Sequence, residues 1–207
     1  FDFDEEKLRS YFKAENVIDG IFKVAELLYG LQFSEINNVP IYHKEVRVFE
    51  VHDADGSFLS LFYIDLHPRE TKNGGAWMTY WRAQGLHNGK LERPLISIVA
   101  NLTPSTEDKP SLLTYDEAQT IFHEFGHALH GMLSNVTYRS LASPDVYWDF
   151  VELPSQIMEN WLAEKETLQL FAKHYETGED IPDELIEKIK ASQSFNAGLG
   201  GLRQLSF

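Results

Sequence analysis

The chain contains one short segment that restricts strongly what its central helix can do. Residues 123–127 read His-Glu-Phe-Gly-His, with two histidines four positions apart. Thr114 and Glu117 precede them with the spacing of a capping box, which predicts a helix from Thr114 to about Ser134. Residues four apart on a helix lie about 40° apart around the axis and about 6 Å along it. Both imidazole rings can therefore reach one ion.

The absence of cysteine narrows the chemistry of such a site. It excludes a disulfide scaffold, a thiol nucleophile and thiolate metal ligands, so a transition metal must be held by histidine and carboxylate. Neutral imidazole suits zinc, and Glu124 lies about 100° around the helix from His123, beside the ion rather than on it. A carboxylate there can take a proton from water whose pKa zinc lowers to about 7. We expect one Zn²⁺ per chain, bound by His123 and His127, with Glu124 as the general base.

Gly126 stands in the middle of this predicted helix, where glycine costs about 1 kcal/mol relative to alanine. Its presence predicts that another group packs close to the helix at this point. A metal site would explain such an approach.

A catalytic zinc ion also needs a third protein ligand. His130 shares the face of the two histidines, but it lies about 10.5 Å along the axis from His123, too far to bind the same ion. It also replaces the glycine of the extended pattern H-E-x-x-H-x-x-G-x-x-H. We expect His130 to pack or to support the site. The next helix offers three carboxylates among which spacing does not decide: Asp149, Glu152 and Glu159.

Hydrophobic periodicity along the 207 residues predicts a single α+β region that is mainly α-helical, with one small sheet. The predicted helices cover residues 4–15, 17–30, 114–134, 149–176 and the stretch from Pro182 onward. The predicted strands are residues 46–53 and 57–65, joined by a turn at 53–56, and residues 95–102. Residues 73–78 are predicted as either a strand or a loop, and Pro154 as lying in the first turns of its helix or kinking it.

The C-terminal helix is predicted to be apolar along one face. Glycines at positions 198, 200 and 201 weaken the pattern and allow a loop or kink. The apolar positions are Leu185, Ile189, Phe195, Leu199, Leu202 and Leu205. Because this periodicity runs to the end, and because the chain lacks a starting methionine, we expect residues 1–207 to belong to a longer protein.

The charge balance limits the partners. With 18 basic and 32 acidic side chains the net charge is −14, which repels nucleic-acid backbones and anionic membranes. The basic residues are scattered, and no stretch approaches the roughly 20 apolar residues of a membrane span. We expect neither a nucleic acid nor a membrane as partner. The acidic N-terminus has no signal-peptide core, which favours the cytoplasm.

The segments HEFGHALHGML and DFVELPSQIMENW together resemble the zinc metallopeptidases grouped around thimet oligopeptidase, oligopeptidase A and bacterial peptidyl-dipeptidase. The resemblance extends to VRVFEVHDADGSFLSLFYIDLHPRE, GGAWM and FAKHYETGEDIPDELIEK, and so covers nearly the whole chain. It implies a zincin-like core with a small sheet beside the HEFGH helix. It also implies that Glu152 joins His123 and His127 as the third zinc ligand, with Glu124 as the base.

The resemblance implies zinc-dependent hydrolysis of peptide bonds in short peptides, by an oligopeptidase or a peptidyl-dipeptidase. Two alternatives stay open: another zinc hydrolase, such as an aminopeptidase or a thermolysin-like endopeptidase, and a metal-binding fragment that is inactive alone. Gln156 and Glu159 are candidates for holding a ligand imidazole by its free N–H. Residues 74–78 are a candidate edge strand for an extended peptide, with Gly75 and Ala76 as substrate-binding residues.

The sequence departs from the family pattern before the D-F-V-E run. Many relatives carry Ser-Gly-Thr and an arginine there, where this chain has Ala142, Ser143, Pro144 and Trp148. Family members also use histidines and tyrosines further downstream, and a long N-terminal helical part that encloses a narrow channel. We therefore interpret residues 1–207 as one catalytic-core region whose substrate channel is completed by the remainder of the same polypeptide.

Overall fold

Two helices, a block of strands and a second block of helices follow one another along the chain. A computed structural model describes residues 5–194 and 197–205. The helices are α1 Glu5–Arg9, α2 Ala14–Tyr29, α3 Tyr115–Met132, α4 Trp148–Val151, α5 Leu153–Leu162, α6 Lys165–Phe171, α7 Asp183–Ser194 and α8 Ala197–Leu205. The strands are β1 Gln32–Ile36, β2 Arg47–His52, β3 Phe58–Asp65, β4 Trp77–Arg82, β5 Gly85–His87, β6 Lys90–Glu92 and β7 Leu95–Val99. Helices thus outweigh strands in a mixed α/β structure with a small sheet, as expected.

The main sheet has the strand order β1-β2-β3-β7-β4. Strands β2 and β3 form the predicted hairpin, and its turn ends at Gly56, whose φ of 82° is readily adopted by glycine. Strand β3 runs parallel to β7, while β4 runs antiparallel to β7 and lies at the edge. The uncertain segment 73–78 is therefore resolved: it is a loop up to Ala76 and a strand from Trp77.

Two elements at the start of the chain differ from the prediction. The first helix stops at Arg9 instead of residue 15, because the backbone of residues 12–14 bonds to the segment before α3. The side chain of Phe12 is fully buried there. Strand β1 was not predicted, because its short, mostly polar sequence gains its structure from pairing with β2. Residue 4 lies outside the described residues.

The single helix predicted over residues 149–176 is wrong, because the chain forms three helices there. Helix α4 ends at Val151, and α5 begins at Leu153 with Pro154 in its first turn, as one of the two alternatives proposed. Proline lacks the N–H that a continuous helix would need. Helix α5 ends at Leu162, and the extended backbone of Glu164 separates it from α6.

The C-terminal segment is helical from Asp183, in agreement with the prediction from Pro182. Ile189 is buried and Leu185 packs on the core, whereas Phe195 lies outside the described residues. Helix α8 continues through its glycines, so no loop forms at these positions. Its three leucines at positions 199, 202 and 205 are exposed.

The core lies between the sheet and the helices, and it places α3 along the sheet. Phe62 of β3 and Phe125 of α3 are fully buried and contact each other, with ring centroids 5.7 Å apart. Helix α5 packs closely on α3 from the side away from the sheet. In the part of the chain that the structure describes, no helix is both long and apolar enough to cross a membrane.

Candidate active site

Helix α3 begins with the predicted capping box. The Thr114 hydroxyl accepts a hydrogen bond from the Glu117 N–H at 3.0 Å, and the Glu117 carboxylate accepts one from the Thr114 N–H at 2.8 Å. Ile121, Phe122 and Phe125 bury one face of the helix. The opposite face carries the histidines at positions 123 and 127 toward α5, so the local start signal and the amphipathic pattern together orient both rings.

Three side chains converge between α3 and the start of α5. One oxygen of Glu152 lies 3.2 Å from Nε2 of His123 and 3.2 Å from Nε2 of His127. One nitrogen or oxygen atom from each of the three residues lies within 4.8 Å of the others, a geometry that can hold a metal ion. Glu152 occupies the junction of α4 and α5. The break in the predicted long helix thus lies at the residue whose carboxylate faces the two histidines.

The other ring nitrogen of His123 is held by Glu159. The Nδ1 atom lies 2.6 Å from a Glu159 oxygen, and the second oxygen accepts a hydrogen bond from the Gln119 side chain, also at 2.6 Å. Of the two residues predicted as candidates for this contact, Glu159 makes it. The Gln156 side chain is exposed and forms no hydrogen bond to another described residue.

With both rings neutral, the arrangement of donors and acceptors fits a cation. A carboxylate accepts hydrogen bonds, so in a neutral His123 ring Nδ1 would carry the proton and Nε2 a lone pair. That lone pair faces an oxygen of Glu152, which is also an acceptor. Burial lowers the pKa of His127, which favours its neutral form as well. Two imidazoles and a carboxylate whose lone pairs face one another match the donor set of a His₂Glu zinc site.

Ser155 holds the Glu152 carboxylate and was not anticipated. Its hydroxyl lies 2.8 Å from a side-chain oxygen of Glu152 and 2.8 Å from the Glu152 carbonyl oxygen. This hydrogen bond is the main reason why the pKa of Glu152 is lowered. The sequence signal that could have predicted this hydrogen bond is a serine three residues after a carboxylate, in the first turn of a helix.

Gly126 permits the close contact of α3 and α5. A Cβ atom at this position would lie 2.4 Å from the Pro154 carbonyl oxygen and 2.6 Å from the Ser155 Cα. The group predicted to pack against this glycine is thus the backbone of α5. The approach brings Glu152 within reach of both histidines.

Glu124 is buried on α3 between His123 and the edge strand β4. The pKa of Glu124 is raised to about 7, mainly by burial and also by the nearby charge of Glu152, against the lowering effect of His123 and of the Met78 backbone. A carboxylate with a pKa near neutrality can both accept and release a proton at physiological pH. Its position beside the three converging side chains suits this use.

The remaining candidates lie outside this group. Asp149 is exposed on α4 and is absent from the metal-binding geometry found in the described residues. His130 packs its ring against Phe150, with centroids 5.9 Å apart, which agrees with the packing role expected for it. A cavity lies beside His123 and Glu124; it is lined by Asp116, Gln119, Thr120, His123, Glu124 and Glu159.

Hydrogen bonds from Asn101 fix the end of the loop that precedes β4. The Asn101 side chain donates hydrogen bonds of 2.8 Å to the carbonyl oxygens of Asn73 and Gly75. Gly75 has a φ of 90°, a conformation that favours glycine. Gly75 and Ala76 therefore belong to the loop and not to the paired edge strand predicted from residue 74, which begins at Trp77.

The family comparison covers the same residues that form this geometry. The model of peptidase family M3 matches residues 1–207, the whole chain. The chain belongs to peptidase family M3. The predicted resemblance to oligopeptidase A, thimet oligopeptidase and peptidyl-dipeptidase is confirmed at this level.

Three relatives illustrate the range of this M3 chain's similarity. Oligopeptidase A of Salmonella typhimurium is 42% identical over 209 residues, covering 100% of this chain and 31% of the relative. The dipeptidyl carboxypeptidase of Escherichia coli is 40% identical over 199 residues, covering 96% and 29%. Saccharolysin of Saccharomyces cerevisiae is 37% identical over 217 residues, covering 100% and 30%. The M3 chain thus spans about a third of the length of these relatives.

Proposed function

We propose that this chain carries the metal-binding and water-activating part of a zinc-dependent peptidase that cleaves short peptides. The observation that carries the proposal is the convergence of His123, His127 and Glu152, with one ligand atom of each within 4.8 Å of the others, next to the buried carboxyl of Glu124. Membership of family M3, and relatives named oligopeptidase and dipeptidyl carboxypeptidase, support peptide bonds as the target. A zincin-like core with His123, His127 and Glu152 as zinc ligands is part of the proposal.

Zinc bound there would lower the pKa of water and polarise the carbonyl of the peptide bond. Glu124 accepts a proton from the attacking water molecule and then transfers it to the nitrogen of the leaving amine, so that the carboxylate is regenerated. Glu159 keeps the His123 ring in the orientation in which Nε2 faces the site. The backbone of Met78 in the edge strand lowers the pKa of Glu124, which places the two close together.

The free edge of β4 supports an extended peptide as substrate. A strand at the end of a sheet presents unpaired N–H and C=O groups, to which a peptide can add. Met78 lies in this strand and its backbone influences the pKa of Glu124, so a peptide paired with β4 would pass near the base. Gly75 and Ala76, just before the strand, are proposed as further substrate contacts, where small side chains permit close approach.

Relatives named oligopeptidase and relatives named dipeptidyl carboxypeptidase suggest two modes of cleavage. One is cleavage within the peptide, and the other is release of C-terminal dipeptides. Product analysis on peptides blocked at one or the other end separates them, and it separates both from an aminopeptidase. Because the chain spans about a third of its relatives, we propose one catalytic-core region that the remainder of the polypeptide completes. A cytoplasmic location is proposed as well; the relatives include one named probable cytosolic oligopeptidase A and one named organellar oligopeptidase A.

Replacing Glu124 with Gln tests the function. In the full-length protein, Glu124→Gln should retain zinc, measured by elemental analysis, and should lose peptide hydrolysis by at least about 100-fold, because general-base catalysis contributes about 10²–10⁴-fold. Asp116→Asn, at the rim of the same cavity, is the matched control and should retain most activity. Undiminished turnover in Glu124→Gln would contradict the assignment. Zinc binding without hydrolysis by the wild-type protein would favour a metal-binding module.

A further inference from the structure

The loop that leads into the edge strand contains an asparagine followed directly by a glycine. Asn73 and Gly74 are both exposed, shortly before β4 begins at Trp77. Such a pair can react with itself, because the backbone nitrogen of the glycine can attack the side-chain amide carbon of the asparagine and close a five-membered ring. Glycine favours this reaction because it has no Cβ to hinder the nitrogen and because its backbone rotates easily. Two asparagines of the chain are followed by glycine, Asn73 and Asn88.

Both reacting groups of the first pair lack a partner within the described part of the chain. The Asn73 side-chain amide and the Gly74 N–H form no hydrogen bond to another described residue. A Cβ atom built on Gly74 would meet nothing within 4 Å, so the space around this residue is open. The ring can therefore close without the loss of a hydrogen bond or the displacement of a neighbour.

The backbone on both sides of Gly74 is held by Asn101. Its side chain donates hydrogen bonds of 2.8 Å to the carbonyl oxygens of Asn73 and Gly75. The Asn73 carbonyl and the Gly74 N–H belong to the same peptide group, and a hydrogen bond to the carbonyl oxygen polarises this group. The N–H proton is then lost more easily. Since the nitrogen attacks only after it has lost this proton, the contact with Asn101 promotes the reaction.

The second Asn-Gly pair is held in a conformation that opposes the reaction. Asn88 and Gly89 form the two-residue turn between β5 and β6, and His87 pairs with Lys90 across it. Their φ angles of 48° and 75° are both positive, as in a type I′ turn, in which ψ of the first residue is about 30°. Ring closure requires a large rotation about this ψ bond, which would break the hairpin. The fold thus distinguishes two pairs of identical sequence.

We propose that Asn73 is a site of spontaneous deamidation, which limits the working life of the loop before the edge strand. The Gly74 nitrogen gives its proton to hydroxide and bonds to Cγ of Asn73. The bond from Cγ to Nδ2 breaks, and Nδ2 takes a proton from water and leaves as ammonia. Water then opens the succinimide ring. Its addition at Cγ gives an aspartyl residue, and its addition at the backbone carbonyl carbon gives an isoaspartyl residue, in which the chain continues through the former side chain.

The isoaspartyl product alters the loop next to the proposed substrate contacts. It lengthens the backbone of residue 73 by one carbon atom and adds one negative charge. The geometry in which Asn101 bonds to two carbonyl oxygens at 2.8 Å is then lost. Gly75 and Ala76 should therefore shift relative to β4, and peptide hydrolysis should decrease. This consequence rests on the proposed peptidase function, whereas the modification itself does not.

Ageing of the full-length, zinc-loaded protein in mildly alkaline buffer tests the modification. Mass spectrometry of its proteolytic peptides detects the gain in mass when an NH₂ group is replaced by OH, and protein isoaspartyl methyltransferase labels the isoaspartyl product. In the folded protein, Asn73 should deamidate at least about 10-fold faster than Asn88, because misalignment of reacting groups costs up to about 100-fold. In the protein unfolded in urea, the two pairs should react at similar rates.

Gly74→Ala is the matched variant, because a Cβ fits at this position without a contact. The added methyl group hinders the nitrogen, so deamidation of Asn73 should slow at least about 10-fold while that of Asn88 stays unchanged. Equal rates for Asn73 and Asn88 in the folded protein would overturn the proposal. Equal rates for Asn73 in the variant and in the wild type would overturn it as well.

The consequence for activity is measured on the same samples. Hydrolysis of a short blocked peptide, relative to the unaged sample of the same protein, should fall with the modified fraction in the wild type and should be retained in Gly74→Ala. Zinc content should stay constant in both proteins. Full activity of modified wild type would overturn the effect on the edge strand. Absence of hydrolysis by the unaged wild type would instead contradict the proposed function, whereas the mass measurement would still decide the modification.

Discussion

Each ring nitrogen of His123 has its own carboxylate. Nδ1 is bonded to Glu159, and Nε2 faces Glu152 at 3.2 Å. In a neutral ring, the contact with Glu159 sets the tautomer and the orientation of the imidazole. The contact with Glu152 then places a lone pair against an acceptor oxygen, and a cation between the two atoms would remove their repulsion. At the scale of single residues, the site therefore depends on Glu159, a carboxylate that would not itself bind the ion.

Removal of this supporting carboxylate should weaken metal binding without removing a ligand. In Glu159→Ala we expect zinc affinity to fall about 10- to 100-fold, measured by competition with a chelator of known affinity. Gln156→Ala is the control, because Gln156 is exposed on the same helix and contacts neither histidine. Equal affinities for the Glu159 variant and the wild type would show that the ring orientation is set elsewhere.

At the scale of elements, the contact of α3 with α5 determines whether the ligands meet. Gly126 lets the α5 backbone approach so closely that a single Cβ would overlap Pro154 and Ser155. The interruption between α4 and α5 then presents Glu152 at this contact, and the Ser155 hydroxyl holds it. The contact of α3 with α5 therefore requires glycine at position 126, although glycine lowers the helix propensity there.

Gly126→Ala should push the two helices apart. Alanine gains about 1 kcal/mol of helix propensity, but forced overpacking costs about 1–3 kcal/mol, and the displaced α5 should carry Glu152 away from the histidines. We expect a lower free energy of unfolding in urea and a weaker affinity for zinc. Gly201→Ala on α8 is the control: a Cβ there meets nothing within 4 Å, and it should stabilise the protein slightly. A Gly126 variant with unchanged affinity would show that the helices tolerate the shift.

At the scale of the whole molecule, a buried ionic network stabilises the end of the sheet from which the edge strand departs. Asp65 at the end of β3 accepts two hydrogen bonds of 2.8 Å from Arg69 and one each from Lys72 and Tyr42. The side chains of Asp65 and Lys72 are both only 2% exposed. Asp65 is paired in register with Val99, which is paired with Trp77, the first residue of β4. The network thus lies level with the start of the edge strand.

The stability of the protein should depend on pH through Asp65. Although its burial acts the other way, the hydrogen bonds from Arg69, Lys72 and Tyr42 lower the pKa of Asp65 to about 2. A depressed pKa contributes stability that is present above the unfolded value of about 3.9 and is lost as pH falls toward 2. At pH 7, Asp65→Asn should lose about 2 kcal/mol of unfolding free energy.

Urea denaturation of both proteins at pH values from 7 to 3 measures this dependence. The difference between them should shrink below pH 4, because Asp65 of the wild type begins to bind a proton in the unfolded state. Asp108→Asn, at an exposed loop position, should change stability little at any pH. A constant difference across this range would show that Asp65 acts through packing and not through its charge.

The sequence by itself determined the elements whose signals are local. The Thr114–Glu117 box begins α3, the Gly56 turn closes the β2–β3 hairpin, and histidine spacing places two rings on one face; each follows from a few neighbouring residues. Without cysteine, histidine and carboxylate were the available ligand types. The roles of these residues in binding zinc and in catalysis stay predictions.

Tertiary structure decided what depends on residues far apart in the chain. Pairing with β2 made residues 32–36 a strand, and breaks at Glu152 and at residues 163–164 divided one predicted helix into three. Packing of α5 on α3 brought Glu152 and Glu159, but neither Asp149 nor Gln156, to the histidines, and burial raised the pKa of Glu124. Local sequence specifies the backbone conformation and the face of a helix or strand on which each side chain lies. The distances between elements and the exclusion of water arise only when the elements pack together.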